Sequence, residues 1–109
     1  MDILYASKDL KALCVDDRKA KRALGGTGCR KLRARLADLD AASRVTELIA
    51  GRPHELRGDR AGQVALDLDR GRRLVFEPAV SPIPRKEDGG IAWAEVTAVR
   101  IVWIGDYHD

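Results

Sequence analysis

A β-hairpin is predicted for residues 63–77, which read QVALDLDRGRRLVFE. Apolar and polar residues alternate on both sides of Arg70-Gly71, as expected for two half-buried strands joined by a turn. In the return strand the alternation puts Leu74 and Phe76 on one face and Arg73 and Val75 on the other. Proline has no N–H to donate to a sheet, so the return strand is expected to stop at Pro78.

Two antiparallel helices are predicted before the hairpin. Ser7 can cap the first helix, and the glycine-rich stretch 25–28 is expected to end it. The second helix is expected from about residue 29 to residue 41. Apolar residues recur at helical spacing in both, namely Leu10, Leu13, Cys14 and Leu24 in the first and Leu32, Leu36 and Leu39 in the second. Residues 43–50 predict a further helical turn or two.

Two more strands complete the expected sheet. Residues 1–6 predict a short opening strand, and residues 99–104 predict a buried closing strand that leaves the sheet at Gly105. Residues 79–92 contain Pro82, Pro84 and mixed charges and are expected to form a surface loop. The order is therefore β-α-α-β-β-β. This order predicts an α+β fold, with a helical hairpin packed on a twisted, mostly antiparallel sheet in one domain over residues 1–109.

Positive charge is concentrated in the first third of the chain. The formal net charge is +3, but residues 1–36 contain ten Lys and Arg against four Asp and so carry +6. This asymmetry is consistent with a polyanionic partner, or with two helices whose charged faces are simply solvated. Charge alone does not choose between them.

Cysteine content and hydropathy exclude several classes of protein. Cys14 and Cys29 are too few for a disulfide framework and lack the CxxC spacing of a metal site, so both are expected to be small core residues in a reducing compartment. No apolar run reaches the roughly 20 residues that span a bilayer, and the charged N-terminus does not resemble a signal sequence. We expect a cytoplasmic protein without membrane contact, cofactor or metal.

The chain has two histidines, and both flank predicted strands. His54 lies in the arginine-rich segment 52–62, RPHELRGDRAG, and His108 closes the triplet Asp106-Tyr107-His108. Two imidazoles can act as general acid and general base on a phosphodiester, with arginines binding the phosphate. The alternative for residues 106–108 is that they form only a solvated chain end without a catalytic role.

These motifs together resemble the HigB-like plasmid-maintenance killer toxins of the RelE/ParE superfamily. Residues 54–62 look like the family's His-x-Leu-x-Gly-x-Arg-x-Gly element, residues 73–76 look like its return strand, and residues 106–108 look like its closing triplet. The chain departs from the family in its longer loop at 78–92. It also carries Arg70-Gly71-Arg72 where the family often has Gly-Asn-Trp.

The resemblance implies the toxin of a type II toxin-antitoxin system, an endoribonuclease that cuts mRNA on the ribosome and is silenced by a HigA-like helix-turn-helix antitoxin. RNA supplies its own nucleophile, the 2′-hydroxyl, so such an enzyme needs an acid, a base and positive charge, but no metal. We expect the free toxin to be a monomer. Codon preference and the antitoxin contact surface are not encoded in any motif of the sequence.

Each candidate residue has an expected role. His54 and His108 would transfer protons, in an order that is left open, with Asp106 orienting an imidazole and Tyr107 positioning the phosphate or stacking on a base. Arg57, Arg60 and Arg73 would stabilise the transition state, and all these groups should converge in one pocket. Further RNA contacts are expected from the basic residues on the exposed faces of the helices, which are Lys19, Lys21, Arg22, Arg30, Lys31, Arg33 and Arg35.

A second class of function fits the same composition. The basic helices and small sheet could belong to a non-catalytic RNA-binding module, or to an antitoxin-binding module that keeps a toxin-like fold. Substitution of His108 separates the two classes, because only the enzyme would lose RNA cleavage while keeping RNA binding.

Overall fold

A computed structural model describes residues 1–106 of the chain. Within this range one mixed sheet has the strand order β1-β5-β4-β3-β2, in which β1 runs parallel to β5 and the other neighbours are antiparallel. Two helices pack on one face of the sheet, which confirms the predicted α+β class. The elements are β1 (Asp2–Tyr5), α1 (Lys8–Val15), α2 (Asp17–Ala41), β2 (His54–Glu55), β3 (Val64–Asp67), β4 (Arg72–Pro78) and β5 (Ala98–Asp106).

The main core lies between the helices and the sheet. Phe76 in β4 is fully buried there, as the alternation predicted, and Leu32 of α2 packs in the same cluster. Leu10, Leu13 and Leu36 are only half-buried and pack at the edge of this core. The fully buried members from the sheet are Leu66, Leu74, Phe76, Val99 and Ile101.

The predicted turn at residues 25–28 is confirmed, because the chain folds back at Gly25 and brings Asp17 and Arg33 together in an ion pair at 2.9 Å. The Asp16 side chain accepts hydrogen bonds from the backbone N–H groups of Arg18 and Lys19 and so caps α2 directly after α1 ends. Gly25 has φ +77° and ψ 175°, which are not helical, and it divides α2 into two helical segments at residues 17–24 and 26–41. Neither helix combines the length and apolar character needed to cross a membrane, nor does any other helical segment within residues 1–106.

The hairpin turn is confirmed at Arg70-Gly71. Both residues have positive φ, 51° and 76°, which is the geometry of a type I′ turn and matches the right-handed twist of the flanking strands. The turn alone would pair Asp67 with Leu74, but Leu68 and Asp69 both oppose Arg72, and this extra residue shifts the partner of Asp67 to Arg73. β4 includes Pro78 as its last residue, one position beyond the predicted end.

β5 differs from its prediction because it contains a bulge and does not leave the sheet at Gly105. Phe76 pairs with Ile101 but Val75 pairs with Trp103, so Val102 is an extra residue in β5. The extra residue changes which face each later side chain occupies. Trp103 therefore lies on the face opposite the helices, which we call the open face, and is 37% exposed although the sequence predicted a buried strand.

The last three residues of the sequence lie outside the described range. Tyr107 and His108 were predicted to be site residues, and their convergence with His54 stays a prediction. The described part of β5 ends with Gly105 paired to Arg73 and Asp106 paired to Arg72.

Candidate active site on the open face of the sheet

His54 is the first residue of the short edge strand β2 and belongs to a row of side chains across the open face. It pairs with Ala65 of β3, which pairs with Val75 of β4, which in turn pairs with Trp103 of β5. Directly paired residues in antiparallel strands present their side chains on the same face. His54 and Trp103 therefore mark the two ends of one row on the face that the helices leave uncovered.

One ring nitrogen of His54 is fixed by the backbone. Nδ1 lies 2.8 Å from the carbonyl oxygen of Arg52. A carbonyl oxygen only accepts hydrogen bonds, so Nδ1 must carry the proton and Nε2 is the nitrogen that gains or loses one. Among residues 1–106 no group forms a hydrogen bond with Nε2. The half-buried ring is thus oriented for proton transfer through Nε2.

Two arginines converge on Asp67, two residues along β3 from the histidine row. Arg52 donates from Nε to Oδ2 of Asp67 at 2.9 Å, and Arg73 donates from Nε to Oδ1 at 3.2 Å. The backbone supports this arrangement, because the Asp67 N–H donates to the Gly51 carbonyl at 2.6 Å. One carboxylate therefore holds both guanidinium groups on the open face near His54.

The electrostatics of this cluster favour an anion. Burial opposes ionisation of Asp67, but hydrogen bonds from Arg52 and Arg73, together with their charges, outweigh burial and hold its pKa below the ordinary value. Asp67 therefore stays ionised, and one negative charge faces two positive ones. Arg52 is 65% exposed and Arg73 is 26% exposed, so both can reach a solvent-borne anion.

Arg60 and Trp103 close the other side of the face. The loop after β2 carries Arg60 over the sheet, where its guanidinium carbon lies 5.1 Å from the centroid of the Trp103 ring. Nη1 of Arg60 also donates to Oε1 of Gln63 at 3.1 Å. A cation over an indole ring is an attractive contact. This loop borders a second, smaller apolar cluster on the open face, formed by Leu56, Ala65, Val75 and Val102.

The other residues that were predicted for this site do not all lie on the open face. Arg57 is exposed in the loop that carries Arg60. Asp106 pairs with Arg72, and strand alternation puts both on the side of the sheet that the helices cover, away from His54. Arg72 contacts that side directly, since its Nη2 donates to the Leu24 carbonyl of α2 at 2.7 Å. Tyr107 and His108 lie outside the described residues.

The basic residues of α2 form two groups. Arg33 and Arg35 were expected on an exposed face, but both are half-buried and form ion pairs, at 2.9 Å with Asp17 and 3.0 Å with Asp38. Their predicted exposure is wrong because they pack against neighbouring elements. Of the seven basic residues predicted to contact RNA, the five that are exposed are Lys19, Lys21, Arg22, Arg30 and Lys31. Since α2 covers the face opposite His54, these residues belong to a different surface from the open-face site.

Three contributors to the site were missed in the sequence. Asp67 meets Arg73 only through an extra residue before the Arg70-Gly71 turn, which the alternation of the sequence does not indicate. Arg52 is brought to Asp67 by a backbone with positive φ at Gly51 and at Arg52, which no simple periodicity indicates. Trp103 reaches the open face only through the bulge in β5.

The donor set of the open face suits an anion better than a metal ion. Within the part of the chain that the structure describes, no three His, Cys, Asp or Glu side chains are grouped so that they could hold a metal. The converging polar groups are instead two guanidinium groups and an imidazole, which donate hydrogen bonds to phosphate oxygens.

Comparisons with known proteins agree with this architecture. No protein-family model and no curated protein matches the sequence. Solved structures match over nearly the whole chain. The YoeB/ParE toxin from Agrobacterium tumefaciens superposes with a TM-score of 0.61 at 14% identity, covering 99% of this chain and 100% of that one.

Two structures from Staphylococcus aureus match similarly. The YoeB-YefM complex gives a TM-score of 0.57 at 15% identity, and the YoeB dimer gives 0.56 at 16% identity. Each match covers 100% of this chain and 98% of the other chain. Identities this low show similarity of fold alone. The chain therefore has the fold of these YoeB and YoeB/ParE toxin structures.

Proposed function

We propose that this chain is a HigB-like toxin of a type II toxin-antitoxin system, an endoribonuclease that cuts mRNA on the ribosome and stops translation. The fold that it shares with YoeB and ParE toxins supports a toxin role. The observation that carries the proposal is the convergence of Arg52 and Arg73 on Asp67 beside His54, on a face of the sheet that the helices leave open.

The proposed reaction uses the RNA's own 2′-hydroxyl as the nucleophile. A general base takes its proton while the oxygen attacks the adjacent phosphorus, and a general acid protonates the departing 5′ oxygen. Arg73 and Arg52 stabilise the added negative charge on the phosphorane, because their orientation is already set by Asp67. His54 performs one proton transfer through Nε2, and Arg57 and Arg60 add positive charge from the neighbouring loop.

The second proton transfer is assigned to His108. Its place in the sequence, two residues after the end of described β5, supports this assignment, since Gly105 in that strand is paired with Arg73. Tyr107 is assigned to positioning the scissile phosphate or stacking on a base. Asp106 lies on the helix side of the sheet, away from His54. We therefore assign His108, two residues further along the chain, as the imidazole that Asp106 orients.

The proposed partners follow from the toxin role. The YoeB-YefM complex is a toxin bound to its antitoxin, and its match to this chain supports an antitoxin partner here. We assign that partner to the HigA-like class with a helix-turn-helix, and we assign the ribosome and mRNA as the target. The exposed basic residues of α2 would contact RNA backbone outside the catalytic pocket. The site of action would be the cytoplasm, with a monomeric free toxin.

The test is inducible expression in a bacterial host, alone and with the neighbouring gene, followed by mapping of new mRNA 5′ ends. Wild-type protein should stop growth and produce cleavage sites inside translated frames. His54→Gln and Arg73→Gln should abolish both effects. Arg44→Gln is the matched control, because Arg44 is an exposed arginine in the turn that packs on the helix side.

The alternative function makes a different prediction in the same experiment. A non-catalytic RNA-binding or antitoxin-binding module would produce no new 5′ ends. Any growth effect of such a module would survive His54→Gln and His108→Gln. That result would contradict the proposed nuclease.

A further inference from the structure

The bulge in β5 moves a large aromatic residue from the core side to the open face. Val99 and Ile101 point into the main core, so strict alternation would have sent Trp103 there as well. The extra residue Val102 reverses the alternation, and Ile104 then packs against the core again. A bulge that re-aims one side chain is a feature often found beside active sites. The fold thus accommodates an irregular strand that leaves an indole ring 37% exposed.

The position beside Trp103 on the same face is Gly105. A Cβ atom at position 105 would lie 3.3 Å from Cζ2 of the indole and 3.4 Å from Cε2 and Nε1. Gly105 sits in a paired strand and is absent from the residues with positive φ, so its backbone does not require glycine. The indole instead packs over the bare backbone at position 105 and takes up the space that a side chain there would need.

One cation already lies over the ring, and another lies diagonally across the sheet. Arg60 is 5.1 Å from the ring centroid. Arg73 pairs with Gly105, which makes Trp103 its diagonal neighbour on β5, and diagonal neighbours on one face are about 7–8 Å apart. A phosphate held by Arg73 therefore lies within one nucleotide of the indole. Val75, which pairs with Trp103 and lies two residues along β4 from Arg73, forms the apolar floor between them.

We propose that Trp103, supported by Arg60, is a stacking platform for the nucleobase next to the phosphate that Arg73 binds. The proposal rests on the proposed nuclease function and names a base-binding subsite of that same site. Aromatic rings bind single-stranded RNA by stacking on bases, while neighbouring arginines bind its backbone. An exposed indole, the bare backbone on which it rests and flanking positive charge are the three components of such a subsite.

The test follows the fluorescence of Trp103 in the Trp93→Phe background, because the sequence contains two tryptophans and Trp93 is outside the site. The probe is a single-stranded RNA octamer with 2′-O-methyl riboses, which cannot be cleaved. A second octamer has the same backbone with every base removed. The intact octamer should quench Trp103 emission, and the abasic octamer should bind about 5- to 100-fold more weakly without quenching. Should Trp93→Phe not fold, the difference in emission between wild type and Trp103→Phe supplies the same readout.

A kinetic measurement separates this inference from the nuclease proposal. On ribosomes carrying mRNA, Trp103→Ala should lower kcat/KM by about 5- to 100-fold, and Trp103→Phe should retain most activity. Gly105→Val keeps the indole but places a side chain against it and displaces the ring, so it should reduce kcat/KM as Trp103→Ala does. Arg44→Gln should behave as wild type. Cleavage by Trp103→Ala at the wild-type rate would overturn the stacking platform and leave the nuclease intact.

The fluorescence result stands even if wild-type protein cleaves nothing. Failure of cleavage contradicts the nuclease, whereas quenching by the intact octamer still supports the base subsite. Equal quenching by both octamers, unchanged emission at saturating RNA, or no RNA binding would overturn the subsite. A change in Trp103 emission that appears only on addition of the antitoxin would assign the ring to protein docking instead.

Discussion

Arg73 donates from Nε to Oδ1 of Asp67 at 3.2 Å, between directly paired residues of β3 and β4. Arg52 reaches the other carboxylate oxygen at 2.9 Å. One acidic side chain therefore orients two guanidinium groups on a face that carries His54. The two guanidinium groups repel each other because they are held close together, and the Asp67 carboxylate reduces this repulsion. The same negative charge offsets part of the positive charge that would bind phosphate.

Removing the Asp67 charge should lower the free energy of unfolding only at pH values at which the carboxylate is ionised in the folded protein. Its pKa lies below the ordinary 3.8 in the folded protein, so its stabilising contribution is present above that value and is lost as pH falls through the lower folded pKa. The group is 35% exposed, and Asp67→Asn should lower the free energy of unfolding by no more than about 1 kcal/mol at pH 7. Urea unfolding at pH 7, 5, 4 and 3 measures this difference, which should shrink towards zero at the lowest pH. The exposed-loop variant Asp88→Asn is the control, and a difference that persists unchanged at pH 3 would contradict the ion-pair explanation.

Gly28 and Gly26, two residues apart in α2, should respond in opposite ways to alanine. A Cβ at Gly28 would lie 2.7 Å from both Arg72 Nη2 and Leu24 Cβ, whereas a Cβ at Gly26 meets only Arg30 Nη1 at 3.6 Å. We expect Gly28→Ala to destabilise the fold by about 1–3 kcal/mol through overpacking. Gly26→Ala should be neutral or stabilising by up to about 1 kcal/mol, because alanine favours helix. Thermal unfolding of both variants makes the comparison, and equal melting temperatures would show that Arg72 does not need the space at Gly28.

Leu32 and Leu36 lie one helical turn apart in α2 but differ in burial. Leu32 is fully buried, whereas Leu36 is half-buried at the edge of the core. Leu32→Ala should destabilise by about 2–5 kcal/mol, and Leu36→Ala should do so by clearly less, because fewer of its atoms leave a cavity. Denaturant unfolding gives both values. A larger effect at Leu36 would be inconsistent with the packing of α2 described here.

The fold was largely predictable because its determinants are local. Alternation on both sides of Arg70-Gly71 identifies the central hairpin, and the burial of Phe76 follows from it. The helix turn was also predictable, because Gly25 supplies the positive φ at which a helix commonly ends. The additional break at Asp16 was missed, because apolar spacing continues through it although its side chain caps the segment that follows.

The site was only partly predictable because some of its geometry comes from the sheet as a whole. Arg73 and His54 could be chosen from their residue types and positions at strand ends. Trp103 could not, since its orientation depends on where β5 gains an extra residue against β4. The face of Asp106 depends on the same bulge, so the sequence could not show that it points away from His54.

The two groups of basic residues in α2 should differ in their effect on RNA binding. Lys21 and Lys31 are exposed, whereas Arg33 and Arg35 are held in ion pairs. Replacing Lys19, Lys21, Arg22 and Lys31 together by Gln should weaken ribosome association. It should also flatten the salt dependence, because binding through fewer phosphate contacts releases fewer counterions. Co-sedimentation with ribosomes at several salt concentrations is the measurement. Arg33→Gln should mainly lower stability, and an unchanged salt dependence in the fourfold variant would mean that this surface is merely solvated.

His54 should control one side of the pH dependence of cleavage. Its Nδ1 is committed to the Arg52 carbonyl, so only Nε2 can exchange a proton with RNA. If His54 and His108 act as the acid-base pair, single-turnover cleavage on ribosomes should show a bell-shaped pH profile, because one group must be protonated and the other must not. His54→Gln should remove one limb of the bell and His108→Gln the other, each with a rate loss of roughly 10²–10⁴-fold.

The limb of the pH profile that each variant loses identifies which histidine is the base and which is the acid. The positions of the two histidines in the sequence do not identify them. The base variant loses the rise of the rate at low pH, and the acid variant loses the fall at high pH. Arg44→Gln should keep both limbs. A bell that keeps both limbs in His54→Gln, with only its height reduced, would restrict His54 to binding the phosphate. One of the two proton-transfer groups would then be a residue other than His54.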